Sequence, residues 1–208
     1  GTLKAEINST GTLRPVVEVL VGTQVSGTIK ELYADFETKV TKGQLIALID
    51  PDKFQAKVNQ ARADLEAAEA SLNKAQVTLV DERRTLKRKE MLIEGGSISQ
   101  SEYDTAKTKA EAAEAEVGVE KARVAQMKAK LREASIDLQY TRIVAPVNGV
   151  VTSRTGDVGQ TVTASFQTPV LFKIAEDLKR MQVLTNVDEA DVGRVREGQK
   201  AEFTVPAF

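Results

Sequence analysis

The stretch "RKEMLIEGGSISQSEY", Arg88–Tyr103, decides the fold. Its two adjacent glycines, Gly95 and Gly96, interrupt a helical pattern that runs for about forty residues on either side. Upstream, Phe54, Val58, Ala61, Leu65, Ala68, Leu72, Ala75 and Leu79 alternate in steps of four and three, and Leu86 and Ile93 extend the register by whole heptads. Downstream, Ala106, Ala110, Ala113, Val117, Val124, Met127, Leu131, Ala134 and Leu138 keep the same rhythm. A sustained apolar repeat of about 3.5 residues marks helices packed along a seam. The short "EGGSIS" link forces the two helices antiparallel. Each would be ~60 Å long. Glu82 and Glu120 are the polar steps in the seam. A fold-back centred on the glycines sets Glu82 opposite Ala110 and Glu120 opposite Leu72, so each carboxylate is expected to reach solvent at the seam edge.

The segments outside the helical pattern have a different character. Residues 1–50 are rich in Val, Ile and Thr and punctuated by Gly22, Gly27 and the Lys42-Gly43 turn, which reads as strands. Asp50-Pro51 reads as a helix start, with Asp as N-cap and Pro as first helical residue. Residues 140–175 return to strand character. The remainder, "MQVLTNVDEADVGRVREGQKAEFTV", reads as strand, short helix, turn, strand, with the acidic "DEAD" opening the helix.

The two β zones resemble each other. "VSGTIKELYADFETKV" (25–40) overlies "VNGVVTSRTGDVGQTV" (147–162) without a gap. Val25 matches Val147, Gly27 matches Gly149, Asp35 matches Asp157 and Val40 matches Val162. Two half-units, each too small to bury a core alone, are expected to pack face to face. The helical pair is then an insertion between them. An antiparallel hairpin returns the chain to its starting point, so the insertion projects from the sandwich like a lever.

Composition narrows the chemistry. The chain has 208 residues, 29 basic and 30 acidic side chains, and no cysteine or histidine. Zinc sites, thiol chemistry and imidazole catalysis are excluded together. There is no metal-ligand motif and no Gly-rich phosphate loop ending in Gly-Lys-Ser/Thr. The net charge of −1 gives no general reason to expect nucleic acid, and residues 81–104 hold five basic and six acidic side chains, so "RRTLKRK" is no basic patch. No apolar run is long enough to span a membrane. The start is not a signal peptide, and both ends read as truncations.

On "VGTQVSGTIKEL", "KGQLIALIDP", "LQYTRIVAPVNGVV" and "GQTV", in that order, the whole chain resembles the periplasmic adaptors, or membrane fusion proteins, of tripartite efflux pumps, with a MacA-type wording. The resemblance implies an α+β fold: a split lipoyl-like (biotinyl-like) β-sandwich carrying a long antiparallel coiled-coil hairpin, plus part of a β-barrel. Its domain division would be 1–20 and 176–208 for the partial barrel, 21–50 and 140–175 for the lipoyl-like domain, and 51–139 for the hairpin, with its tip near 93–99. It implies a non-catalytic adaptor between an inner-membrane ABC transporter and a TolC-type outer-membrane channel, with an RND pump as the alternative. It also implies periplasmic location with an inner-membrane anchor in the full-length protein, a homo-oligomer (hexamer), no cofactor and no nucleic acid.

Residue roles follow from the same resemblance. The family's tip pattern Arg-x3-Leu-x6-Ser, which engages the channel, falls on Arg88, Leu92 and Ser99. A glutamine on a lipoyl-domain loop, which lines the hexamer's central pore, falls on Gln160. Plainer readings stand beside these. Arg88 is also what any solvated charged helix carries. Ser99 with Glu102 spells a capping box. Gln160 is an ordinary turn residue, and Asp35 and Asp157 sit at equivalent turns. A swinging-arm carrier domain is disfavoured. The place of its modified lysine is taken by the helical insertion.

Overall fold

A computed structural model of the chain describes residue 7 and residues 9–164, 169–177 and 180–204. The 4-3 apolar spacing folds as read, into α1 (Asp52–Glu94) and α2 (Gln100–Tyr140), joined by a short reversal. Val58, Ala68 and Ala75 of α1 and Ala106, Ala110, Ala113, Val117 and Val124 of α2 are buried along the seam. Five of these eight are on α2 and most of the set is alanine, so the helix axes approach closely. Cross-helix ion pairs edge the seam: Arg83–Glu114 at 2.9 Å, Lys128–Glu69 at 3.5 Å and Lys89–Glu102 at 3.5 Å. Their exposure leaves each with little net stabilisation.

Glu120 departs from the sequence expectation. Its side chain is only 13% exposed, with Arg123 Nη1 at 3.8 Å on the same helix. Its Oε2 is buried without a hydrogen-bond partner. A side chain at a seam-facing heptad position points at the opposing helix, and two methylenes do not carry the carboxylate past it. Burying an unsatisfied acceptor costs about 1–3 kcal/mol. Glu120→Leu is therefore expected to stabilise the hairpin by about 2 kcal/mol, because it removes that cost and adds apolar burial. Urea unfolding followed by circular dichroism measures it. A midpoint unchanged or lowered in the variant would contradict the assignment.

The helix start lies one residue from the expected position. Helix α1 begins at Asp52, with Pro51 already in the helical region at φ −83° and ψ −9°. Asp50 still does capping work, since its Oδ1 accepts the Asp52 N–H at 3.3 Å. Boundaries of this kind shift by a residue with the criterion used.

The Val/Ile/Thr-rich zones form strands as expected, and their pairing is what the repeat could not specify. Strands β2 (Glu18–Gly22), β9 (Val170–Ala175), β7 (Gly149–Arg154) and β4 (Lys39–Val40) form one antiparallel sheet in that order. The order in the other is β6 (Arg142–Val144), β5 (Leu45–Ile49), β3 (Gly27–Leu32) and β8 (Thr161–Val162). The half-units face each other as expected, but they exchange their short strands: β4 pairs with β7 and β8 pairs with β3. Each sheet is thus completed by the other half. Ile29, Ile46, Ile49 and Ile143 from one sheet meet Val40, Val151, Phe172 and Ile174 from the other in a single core.

Gly27 and Gly149 take the same role in both repeats. A Cβ on Gly149 would stand 2.2 Å from the Ala175 carbonyl oxygen, and one on Gly27 would stand 2.5 Å from Ile49 Cγ2. Close approach of a neighbouring strand is the reason for glycine at both.

The hairpin is tied to the sandwich at its base. Asp50 N–H donates to Thr28 O and Ile49 N–H to Thr141 O. Lys30 Nζ lies 3.6 Å from both Asp50 and Asp52. Phe54, in the first turn of α1, packs against the sandwich core. Apart from this body, β1 (Gly11–Pro15) pairs with β10 (Met181–Thr185) as a two-stranded ribbon, followed by α3 (Glu189–Val192). The strand expected at 201–205 is not formed over its described part, 201–204. A strand needs a ladder partner, and none lies beside it among the described residues.

Candidate functional site

Two places collect the residues singled out by sequence, one at each end of the lever. At the tip, α1 ends in a reversal that consumes its last carbonyls. Ser97 N–H donates to Leu92 O at 2.9 Å and Gly96 N–H to Ile93 O at 2.9 Å. Gly96 has φ +65°, a left-handed conformation that disfavours any side chain. Gly96, rather than Gly95, is the residue the reversal requires.

Ser99 then starts α2. Its Oγ accepts the Glu102 N–H at 3.3 Å, and Glu102 Oε2 accepts the Ser99 N–H at 3.0 Å, completing the capping box. The Ser99 backbone N–H holds the Glu102 carboxyl below the usual carboxylate range, with the Ser99 hydroxyl and Lys89 adding to the effect. The hydroxyl also donates to Glu102 Oε2 at 3.2 Å. Ser99 is therefore engaged inside the tip and pins its shape.

Arg88 and Leu92 lie one turn apart on the same face of α1 and are both exposed, Leu92 by 43%. Arg88 Nη2 donates to Thr85 Oγ1 at 3.0 Å. The rest of its guanidinium fork has no partner among the described residues. Met91, 60% exposed beside Leu92, was not picked out from sequence. The available signal was an apolar residue outside the heptad, next to the turn. The tip thus offers a forked cation and two apolar side chains at the end of α1, beside a turn whose Gly96 and Ser97 N–H groups are bonded to α1 carbonyls.

The second place is the sandwich loop 155–160. Gln160 does not meet the tip residues; it sits beside β3, where Ile29 N–H donates to its carbonyl at 2.9 Å. Its side chain closes the turn, with Oε1 accepting the Asp157 N–H at 3.1 Å. The same device occurs at Gln44 on Thr41 N–H and at Gln199 on Arg196 N–H, each at 2.9 Å. All three turns carry a glycine with φ between +84° and +88° just before the glutamine. The sequence "Gly-Gln" three times over was a readable sign of it. This gives Gln160 its turn role and leaves Nε2 without a partner among the described residues.

Asp35 and Asp157 converge on one guanidinium. Arg154 Nε donates to Asp35 Oδ1 at 2.9 Å, and Nη1 donates to Asp157 Oδ1 at 2.8 Å and to Gly156 O. The Phe36 N–H and then Arg154 hold the Asp35 carboxyl below its usual range, while Asp157 and then Asp35 raise Arg154. Among the described residues no group of carboxylates is placed to hold a metal ion. Among the described residues no helix is long and apolar enough to cross a membrane.

A small β-sandwich extended by a long antiparallel hairpin, with Arg88, Met91 and Leu92 exposed near the far tip, defines a class of architecture. Comparison with known proteins gives that class a family. The profile described as the barrel-sandwich hybrid domain of RND membrane fusion proteins matches residues 17–173. The chain is 38% identical over 205 residues to the macrolide export protein MacA of Escherichia coli O157:H7, covering 99% of this chain and 55% of that protein. It is 38% identical over 206 residues to the pyoverdine export membrane fusion protein PvdR of Pseudomonas aeruginosa, covering 98% and 52%. The crystal structure of MacA from Actinobacillus actinomycetemcomitans superposes with a TM-score of 0.82 at 30% identity, over 95% of this chain and 64% of that one. The chain belongs to the membrane fusion proteins, and it spans about half the length of the curated relatives it matches.

Proposed function

We propose that this chain is the hairpin-and-sandwich part of a non-catalytic periplasmic adaptor. The adaptor links an inner-membrane ABC-type transporter to a TolC-type outer-membrane channel for export of macrolides or for secretion. The observation that carries this reading is the tip: Arg88, Leu92 and Met91 stand exposed on a turn pinned by Ser99, ~60 Å from the sandwich. A guanidinium fork suits carbonyls or carboxylates at the channel's helical ends. The likeness to macrolide and pyoverdine exporters supports an export role. An RND-type pump is the second reading, favoured by the name of the matching family profile. In the full-length protein an inner-membrane anchor would hold the sandwich end, and residues 1–20 and 176–208 would belong to the barrel domain.

Homo-oligomerisation, as a hexamer, is part of the reading. Val77 and Val80 are exposed on α1, and Ala112, Ala115, Val119 and Ala122 are exposed at heptad spacing on α2. A turn of 100° per residue directs the two stripes to opposite edges of the antiparallel ribbon. The Arg83–Glu114 pair keeps them at the same height. One edge of a copy therefore matches the other edge of the next, a head-to-tail arrangement that can close into a ring. In that ring Gln160 would turn its free Nε2 to the central pore. The test of the whole reading is export by cells whose only copy of the full-length protein carries Arg88→Asp: export is lost if the tip docks the channel and retained if it does not.

A further inference from the structure

We propose that Arg154 is a positioning residue for Gln160. It locks loop 155–160 against the equivalent loop of the other half-unit and so fixes where the Gln160 amide points. This rests on the reading of Gln160 as a pore-lining group and adds the means by which its reach is set.

The chain of contacts is continuous. Gln160 Oε1 is anchored on Asp157 N–H, so the direction of Nε2 follows the position of Asp157. The backbone of Asp157 and Gly156 is held in turn by Arg154 Nη1, through Asp157 Oδ1 and Gly156 O. Arg154 Nε is held by Asp35 Oδ1. Asp35 sits in a tight turn of its own: its Oδ1 also accepts the Phe36 N–H at 2.8 Å, and Thr38 Oγ1 accepts the Asp35 N–H at 3.0 Å. That turn is the first repeat's counterpart of 157–160, with Thr38 in the place of Gln160. One guanidinium therefore ties the two symmetry-related loops together.

The arrangement is suited to geometry more than to stability. The Asp35 and Asp157 side chains are 73% and 82% exposed, so these ion pairs add little to folding. The planar fork supplies three donors in fixed directions, which an ammonium would not. The loop is bonded to β3 at its far end, through Gly159 N–H to Ile29 O and Ile29 N–H to Gln160 O, and Arg154 adds the tie at Gly156 and Asp157, where the glycine leaves the backbone freest. A group that must meet its equivalents from other copies at a pore axis needs this constraint.

The test uses the full-length protein in two measurements. Hydrogen exchange should be faster by about tenfold at the Asp157 and Gln160 amides in Arg154→Ala, with the Gly159 amide, bonded to Ile29 O, and the core amides of β5 and β9 unchanged. Arg154→Lys should fall between. Equal exchange in the wild type and Arg154→Ala would overturn the clamp. Export is then compared for Arg154→Ala, Gln160→Ala and the double variant. A residue acting through Gln160 costs nothing further once Gln160 is gone, whereas a merely structural role subtracts equally in both backgrounds. The expected result is impaired or leaky export in each single variant and a double variant equal to Gln160→Ala. Additive losses would overturn the proposal. Normal export by Gln160→Ala would instead sink the pore-lining reading, and the positioning role with it, while leaving the exchange result to report on the clamp itself.

Discussion

Gly149→Ala should unfold the sandwich more readily than any surface change in this chain, by about 3 kcal/mol. The added methyl would stand 2.2 Å from the Ala175 carbonyl oxygen and 2.9 Å from both the Ala175 carbonyl carbon and Ile174 Cγ2. The obstacle is backbone in β9, the strand that pairs with both β2 and β7, so no rotamer change relieves it. Gly149 also pairs with Val40 of the exchanged strand β4. Displacing it loosens the contact by which one half-unit completes the other. Gly27→Ala should cost less, because its obstacle is the Ile49 side chain, though that residue is fully buried and has little room. Urea unfolding of the two variants measures the ranking. Gly149→Ala as stable as the wild type would mean the strands lie farther apart than described.

Arg88→Asp should abolish export while leaving the helix content of the protein unchanged. Arg88 is exposed, and its one partner among the described residues is Thr85, three residues back on the same helix. Helix α1 is 43 residues long and is held by its seam, so one exposed substitution does not melt it. The local penalty, from helix propensity, is about 0.5 kcal/mol. At an interface the same change replaces a five-donor fork by an acceptor and reverses the charge, which turns attraction into repulsion. The expected outcome is sensitivity to the exported compound equal to that of cells lacking the protein. Undiminished export with a folded Arg88→Asp protein would remove Arg88 from the docking site.

The parts of this fold that depend on periodicity were open to reading from sequence, and those that depend on long-range pairing were not. The seam from Phe54 to Leu138 follows from a 4-3 spacing that only one side of a helix satisfies. Ser99 and Glu102 predicted their capping box because its donors and acceptors lie within one turn. The repeat 25–40 over 147–162 announced two half-units, but the exchange of β4 and β8 rests on which edges meet after folding. The reach of its side chain points Glu120 to solvent, and the close approach of alanine-lined helices instead leaves its Oε2 buried. The Arg154 clamp joins residues 119 apart in the chain, so no local pattern marked it. At the tip, Leu92 was found through the family pattern, whereas Met91 needed the structure to be seen as exposed.

The most direct measurement is binding of the full-length protein to the periplasmic end of a TolC-type channel, comparing the wild type with a Leu92→Ala/Ser99→Ala double variant. The double variant removes the apolar anchor and the pin that shapes the turn, while the seam is untouched. Binding by the wild type that is lost in the variant is the predicted result. Equal binding by both proteins would contradict the assignment of the tip as the docking site.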